Sequence, residues 1–309
     1  MLRLGLDIGG TKIEAQLLDG LGVSLLCKRI ATPTTGYVDF LVAITDLVNE
    51  IRQELDGPFT IGIGLPGAID PQTGRIKNAN CLLLNGQDLK GDLTKALGQR
   101  VWLANDADCF ALSEAVDGAG EAGRVVFGII LGTGCGGGLV VNRQLIVGPN
   151  AITGEWGHNP LPGYDPALDG PSQPCYCGRD NCIERFVSGT GFAGRFVERH
   201  GRGLSPIGII TAAAEGDVEA EAHYDHFIQA LAHSVASLIN VLDPDVIVLG
   251  GGLSNIDRLY LDLPQALTPY LFSDRCITPM VPARYGDSSG VRGAAWLPSC
   301  VEGATTWAI

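Results

Sequence analysis

The sequence has 309 residues, a formal net charge of −13 at pH 7, 46% apolar residues and 18% charged residues. This composition excludes a disordered chain, and the acidic balance argues against a general nucleic-acid surface, which needs a basic patch. It does not exclude phosphate ligands, because glycine turns and helix N-termini bind them through backbone N–H groups, with Mg²⁺ offsetting the repulsion.

In chain order, residues 2–7 read as a strand, 8–11 as a turn and 12–18 as a second strand, together a hairpin. A third strand follows near 23–30. Residues 37–55 have helical spacing, with Phe40, Leu41, Ile44, Leu47, Val48, Ile51 and Leu55 on one face. A strand at 59–65 ends in Pro66-Gly67. A helix near 88–97, a strand at 101–104 and a helix from Asp106 to about Ala115 come next. The pattern then restarts with a strand at 125–131, a glycine turn over Gly132–Gly138 and a returning strand at 139–142. A loop-rich stretch over 146–183 precedes helices near 187–200, 205–214 and 217–241. A strand at 245–249 runs into Gly250-Gly251-Gly252, and a helix near 255–270, a strand near 277–282, a helix over 288–297 and a frayed tail complete the chain.

The repeated order of strand, glycine turn, strand and later helices predicts two α/β domains with a cleft between them. Each glycine hairpin would face that cleft from its own side. A single large α/β domain is the plainer alternative, and the length disfavours it. The opening residues lose their apolar character at Asp7, short of a signal peptide, and no stretch suits a membrane span, so a cytoplasmic protein is expected. Nine cysteines is an odd count, so a disulfide framework is not expected. Three of them, Cys175, Cys177 and Cys182, cluster; most of the rest sit in apolar surroundings as small hydrophobes.

The run Asp7-Ile8-Gly9-Gly10-Thr11-Lys12 ends a strand in a carboxylate and turns on two glycines. Exposed N–H groups, a hydroxyl and a cation suit the terminal phosphates of a nucleotide, with Asp7 placed for Mg²⁺. An ordinary glycine hairpin is the alternative, since short glycine motifs recur widely. The second turn strengthens the phosphate reading: Gly132, Thr133 and Gly134 offer backbone N–H groups and a hydroxyl. A strand rather than a helix follows it, unlike a dinucleotide fingerprint, and no Gly-Lys-Ser/Thr ending marks a P-loop.

With these motifs the chain resembles the ROK family of sugar kinases, within the actin-like ATPase superfamily. The resemblance runs from Asp7-Ile8-Gly9-Gly10-Thr11-Lys12 to the segment Gly286–Ala295. It is nearest the bacterial fructokinases (mannofructokinases), through Lys77-Asn78-Ala79-Asn80, Leu84-Asn85-Gly86-Gln87, Gly154-Glu155-Trp156-Gly157-His158-Asn159-Pro160-Leu161-Pro162 and Pro174-Cys175-Tyr176-Cys177-Gly178. The resemblance implies a two-domain actin-like (ribonuclease H-like) α/β fold. Residues 1–117 plus 289–309 would form the smaller domain and 118–288 the larger. It implies ATP and a sugar as ligands and a homodimer; the acidic balance and the lack of a long apolar stretch lead us to expect no nucleic-acid or membrane partner.

Asn105-Asp106-Ala107-Asp108 follows a strand and opens a helix. Capping alone explains one such residue but not a pair where α/β sites collect ligands. The resemblance makes Asp106 the catalytic base and gives Asn105 to the sugar; Asp108 stands where the family often has Asn and receives no role. Asp106 would accept the proton of a primary hydroxyl as it attacks the γ-phosphorus, and the helix N-terminus would keep it ionised.

His158 with Cys175-x-Cys177-x₄-Cys182 is a metal candidate, because three thiolates and one imidazole form a closed structural zinc set. Free loop cysteines are the alternative. The resemblance carries over all four ligands, and gives Glu155, His158 and Glu184 to sugar hydroxyls, with His158 binding zinc through one nitrogen and sugar through the other. Asn80 and backbone near Gly67 would complete the pocket, and Gly251 and Gly252 would pack against adenine, a plain strand-to-helix turn being the alternative. His223, His226 and His233 share a helical stretch without an evident third ligand and read as solvated or capped histidines.

These readings combine into an ATP-dependent kinase acting on O6 of a hexose, fructose first and mannose possible, with Mg²⁺ and structural Zn²⁺. Glucokinase or N-acetylglucosamine kinase is the alternative within the class. A non-catalytic sugar sensor or repressor is the alternative outside it, disfavoured because Asp7 leaves no room for an N-terminal helix-turn-helix.

Overall fold

Apolar residues alternate along the first strand, and a glycine there and two in the next parallel strand leave room for what lies on the sheet. The computed structural model describes residues 1–55 and 57–300; the expected tail lies outside the described residues. β1 (Leu2–Ile8), β2 (Lys12–Leu18) and β3 (Ser24–Ala31) form an antiparallel meander. Helix α1 (Tyr37–Gln53) follows and buries Phe40, Ile44, Leu47, Val48 and Ile51, the face its spacing predicts. β4 (Phe59–Leu65) pairs parallel with β1, and a two-residue ribbon, β5 (Ala68–Ile69) with β6 (Ile76–Lys77), then branches off. α2 (Leu89–Leu97) starts on the Asp88 cap and stops at Gly98 in the left-handed conformation. β7 (Val101–Asn105) completes the sheet in the order β3-β2-β1-β4-β7, and α3 (Asp106–Val116) leaves its end directly.

A second five-stranded sheet has the order β10-β9-β8-β11-β12. Its strands are β8 (Val125–Leu131), β9 (Cys135–Val141), β10 (Gln144–Leu145), β11 (Val246–Gly250) and β12 (Met280–Pro282), with β8, β11 and β12 parallel. The intervening helices are α4 (Pro166–Asp169), α5 (Glu184–Val187), α6 (Gly189–His200), α7 (Pro206–Ala214), the long α8 (Val218–Leu242) and α9 (Leu259–Leu267). The last helix, α10 (Ser289–Cys300), returns to the first sheet. It approaches so closely that a Cβ at Gly5 of β1 or Gly62 of β4 would collide with the carbonyls of Val291 and Ala294.

The chain divides into two compact units: Met1–Glu121, Gly138–Thr153 and the described residues from Asp287 on; and Ala122–Gly137 with Gly154–Gly286. The core of the first is built by Leu4, Leu6, Ile61, Ile63 and the buried face of α1. In the second, Phe192, Phe196, Tyr224 and Phe227 are buried around α6 and α8. Gly138–Thr153, expected with residues 118–288, lies in the first unit because Gly138 packs onto α3 against Ala107 and Ala111.

Several element boundaries differ from expectation, three of them informatively. The second glycine turn is only Gly132–Gly134: β9 starts at Cys135, and Gly137 and Gly138 serve close packing against Trp156 and α3 rather than a reversal. The helix expected over 255–270 is α9 at Leu259–Leu267, flanked by short 3₁₀ turns at Gly252–Asn255 and Thr268–Tyr270. The segment expected to open a helix at 187 instead breaks at Ser188, which caps α6 through Gly191 N–H.

Candidate active site

In the first unit, register places Asp7 beside Glu14 of β2 and Gly64 of β4. The hairpin turn closes with Gly9 N–H donating to Lys12 O at 2.9 Å. Thr32 braces it, donating its hydroxyl to Gly9 O at 2.7 Å and its N–H to Thr11 O at 3.0 Å. Gly10, Thr11 and Lys12 remain exposed. The Lys12 ammonium lies 3.5 Å from the buried Glu14 carboxylate, which also accepts from Arg29 at 2.8 Å. Burial, then the negative charges of Asp106 and Glu14, push the Asp7 carboxyl up to about 6, with Lys12 opposing.

Asn105 ends β7 and caps α3, accepting Ala107 N–H at 2.8 Å. Its amide also donates to Gly67 O at 3.0 Å, so one side chain fixes both the helix start and the loop after β4. Asp106 is the first helical residue and accepts the same Ala107 N–H at 2.9 Å. Asn80 N–H donates to Pro66 O at 3.0 Å, and Asn85 clamps Ala79 through both its amide atoms. The exposed Asn80 is therefore carried on the loop that holds Gly67, in the same unit as Asn105 and Asp106.

In the second unit, Gly132 N–H donates to Gly134 O at 3.0 Å and leaves Thr133 exposed at the tip. Glu184, the first residue of α5, accepts Cys135 N–H at 2.9 Å. Gly251 (φ +82°) sits so near Leu131 and Gly132 that a Cβ there would meet their backbone at 2.6–2.8 Å. Gly251 thus buttresses the Gly132–Gly134 turn, and Gly252 opens the following 3₁₀ turn.

The four expected metal ligands converge: one donor atom each from His158, Cys175, Cys177 and Cys182 lie within 4.8 Å of one another. Cys177 Sγ and Cys182 Sγ are 3.5 Å apart, and Cys175 Sγ is 3.6 Å from His158 Nδ1. A tetrahedral zinc with Zn–S near 2.3 Å has edges of about 3.5–3.8 Å, so the set fits that ion. Burial opposes ionisation of Cys177, yet hydrogen bonds from Arg179 and the neighbouring thiols bring it down to about 6. His158 turns Nδ1 to the cysteines and Nε2 away, 3.9 Å from Glu155 Oε2.

Several residues here had no sequence-derived role. Tyr176 Oη lies 2.9 Å from His158 Nε2, and Trp156 Nε1 donates to Gly136 O at 3.0 Å. Only their positions inside the quoted motifs hinted at this. Of the histidines of α8, expected as solvated or capped, His223 departs by being buried. His223 is buried, bonded through Nε2 to Phe192 O at 2.8 Å, and burial lowers it to about 4. His226 Nε2 lies 2.8 Å from Asp169 Oδ1, and His233 stacks on Tyr270.

The ROK family model matches residues 3–299. An N-acetyl-D-glucosamine kinase of Yersinia pseudotuberculosis is 40% identical over 296 residues, covering 95% of this chain and 97% of that protein. The solved ROK hexokinase of Thermus thermophilus superposes with a TM-score of 0.84 at 30% identity, covering 96% and 97% of the two chains. A ROK family glucokinase from Streptomyces griseus, solved with glucose and AMPPNP, gives 0.75 at 27% identity, with 96% and 98% covered. The fold is the two-domain α/β architecture of the actin-like ATPases. On the family match over residues 3–299 and the 40% identity to a relative it covers almost in full, the chain belongs to the ROK family.

Proposed function

We propose that the protein is an ATP-dependent kinase that transfers the γ-phosphoryl group to O6 of a hexose, with Asp106 as the base. The observation that carries this reading is Asp106 at the first turn of α3, directly after β7, beside an Asn105 already bonded to the Gly67 carbonyl. The helix N-terminus favours the ionised carboxylate that must accept the hydroxyl proton. Backbone N–H groups at 9–11 and 132–134 would hold the phosphates. Mg²⁺, held near Asp7, would supply charge neutralisation of the β- and γ-phosphates.

Glu155, His158 and Glu184 would bind sugar hydroxyls. The division of the His158 ring supports this: Nδ1 faces Cys175 and Nε2 points away from the cluster, already 2.9 Å from the Tyr176 hydroxyl, so a sugar hydroxyl would replace or share that contact. The cysteine cluster would hold one structural zinc that orients His158 and, through the short chain from Cys182, Glu184. N-acetyl-D-glucosamine leads as substrate, on the 40% identity to kinases of that sugar. Fructose is the second reading, favoured by Lys77–Asn80, Leu84–Gln87 and the Pro174–Gly178 segment. A coupled assay with N-acetylglucosamine, glucose, mannose and fructose ranks them by kcat/KM. No turnover of any hexose with Mg²⁺-ATP would reject the reading.

A further inference from the structure

The second glycine turn is gripped from two sides by the segments that carry the proposed sugar-binding residues. On one side Gly189 N–H donates to Gly132 O at 2.7 Å, and Glu184 Oε2 accepts Cys135 N–H at 2.9 Å. A Cβ on Gly134 would stand 2.6 Å from that same carboxylate oxygen, so glycine is what lets Glu184 reach the turn. On the other side Gly157 lies under Cys135, where a Cβ would come 2.5 Å from its carbonyl oxygen, and Trp156 donates to Gly136 O. All these residues belong to one unit.

We propose that Glu184 is a positioning residue for the nucleotide: it couples sugar occupancy to the shape of the Gly132–Gly134 phosphate turn. The proposal rests on the functional reading above, in which Glu184 meets the sugar and the turn meets the phosphates. A carboxylate has two oxygens and about four acceptor sites. With Oε2 on Cys135 N–H, Oε1 remains for a sugar hydroxyl, and a hydroxyl there fixes the rotamer that holds the turn. Linkage makes the effect reciprocal: an ordered turn presents Glu184 to the sugar.

Calorimetry tests both directions. Binding of a Mg²⁺-bound, non-hydrolysable ATP analogue is measured on sugar-free protein and again with N-acetylglucosamine present, where the wild type should bind it more tightly and Glu184→Ala should not; a wild type that gains nothing overturns the coupling. Binding of N-acetylglucosamine and of fructose is measured on nucleotide-free protein. Glu184→Ala should weaken the analogue about fivefold with no sugar present, the effect of losing one hydrogen bond. Glu184→Gln, whose carbonyl accepts the same N–H, should restore analogue affinity to within about twofold of wild type while sugar affinity stays reduced. Gly134→Ala, which pushes on Glu184, should weaken sugar binding although it lies in the phosphate turn. Zinc content and thermal midpoint report folding, and if Glu184→Ala misfolds the other two variants carry the test. Unchanged analogue affinity in sugar-free Glu184→Ala, or unchanged sugar affinity in Gly134→Ala, overturns the proposal. Failure of the underlying reading looks different: wild type itself then binds neither sugar and transfers no phosphoryl group, and the coupling falls with it.

Discussion

Replacing Asp7 with asparagine should stabilise the protein at neutral pH while removing most of its turnover. Burial and the charges of Asp106 and Glu14 raise the Asp7 carboxyl from 3.8 to about 6. At ~1.4 kcal/mol per pH unit, the ionised carboxylate costs the folded state about 3 kcal/mol at pH 7.5, and partial solvent access trims this to ~2 kcal/mol. The folded pKa is the higher one, so the wild type matches the variant below pH 3.8 and loses stability relative to it as pH rises through about 6. Urea unfolding in buffer free of Mg²⁺ and nucleotide measures the difference. The gap should be largest at pH 7.5 and narrow towards pH 4. A variant less stable than wild type at pH 7.5, or a gap that ignores pH, refutes the electrostatic account of this corner of the site.

Asn105→Ala removes a helix cap and the bond to Gly67 O, together about 2 kcal/mol of stability. Asn105→Asp should keep the cap, lose the donor to Gly67 and bind sugar weakly, as unfolding and sugar titration would show. His223 is lowered from 6.5 to about 4 by burial, so the stability it contributes above pH 6.5 is lost as pH falls to about 4. His223→Gln should flatten the stability profile across that window, and an unchanged slope counts against it. Elemental analysis should find about one zinc per chain, and Cys182→Ala should lower both zinc content and sugar affinity.

Much of the first unit is legible because its signals are local. Alternating apolar residues with Gly9-Gly10 specify the β1–β2 hairpin, and Asn105-Asp106 after an apolar strand marks the start of α3. Glycine is the ambiguous letter: at 132–134 it makes a turn, whereas at 137–138 it makes room for Trp156 and α3. That distinction depends on residues up to dozens of positions away. The same holds for Glu184, whose proximity to the cysteines is visible in sequence but whose bond to Cys135 N–H is not. His223 shares the i, i+3, i+4, i+7 spacing of Ala220, Tyr224 and Phe227 on the buried face of α8, so its burial is legible from that spacing. Substrate choice is less legible still. In the proposed role, Glu155, His158 and Glu184 would read hydroxyl groups that every candidate hexose presents.

The central claim is that Asp106 deprotonates a hexose hydroxyl in an ATP-dependent transfer. Its most direct test pairs steady-state turnover with sugar binding in Asp106→Asn. The account predicts a fall in kcat of about 10²–10⁴-fold with sugar affinity kept within a few-fold of wild type. Turnover near the wild-type rate in that variant would contradict it.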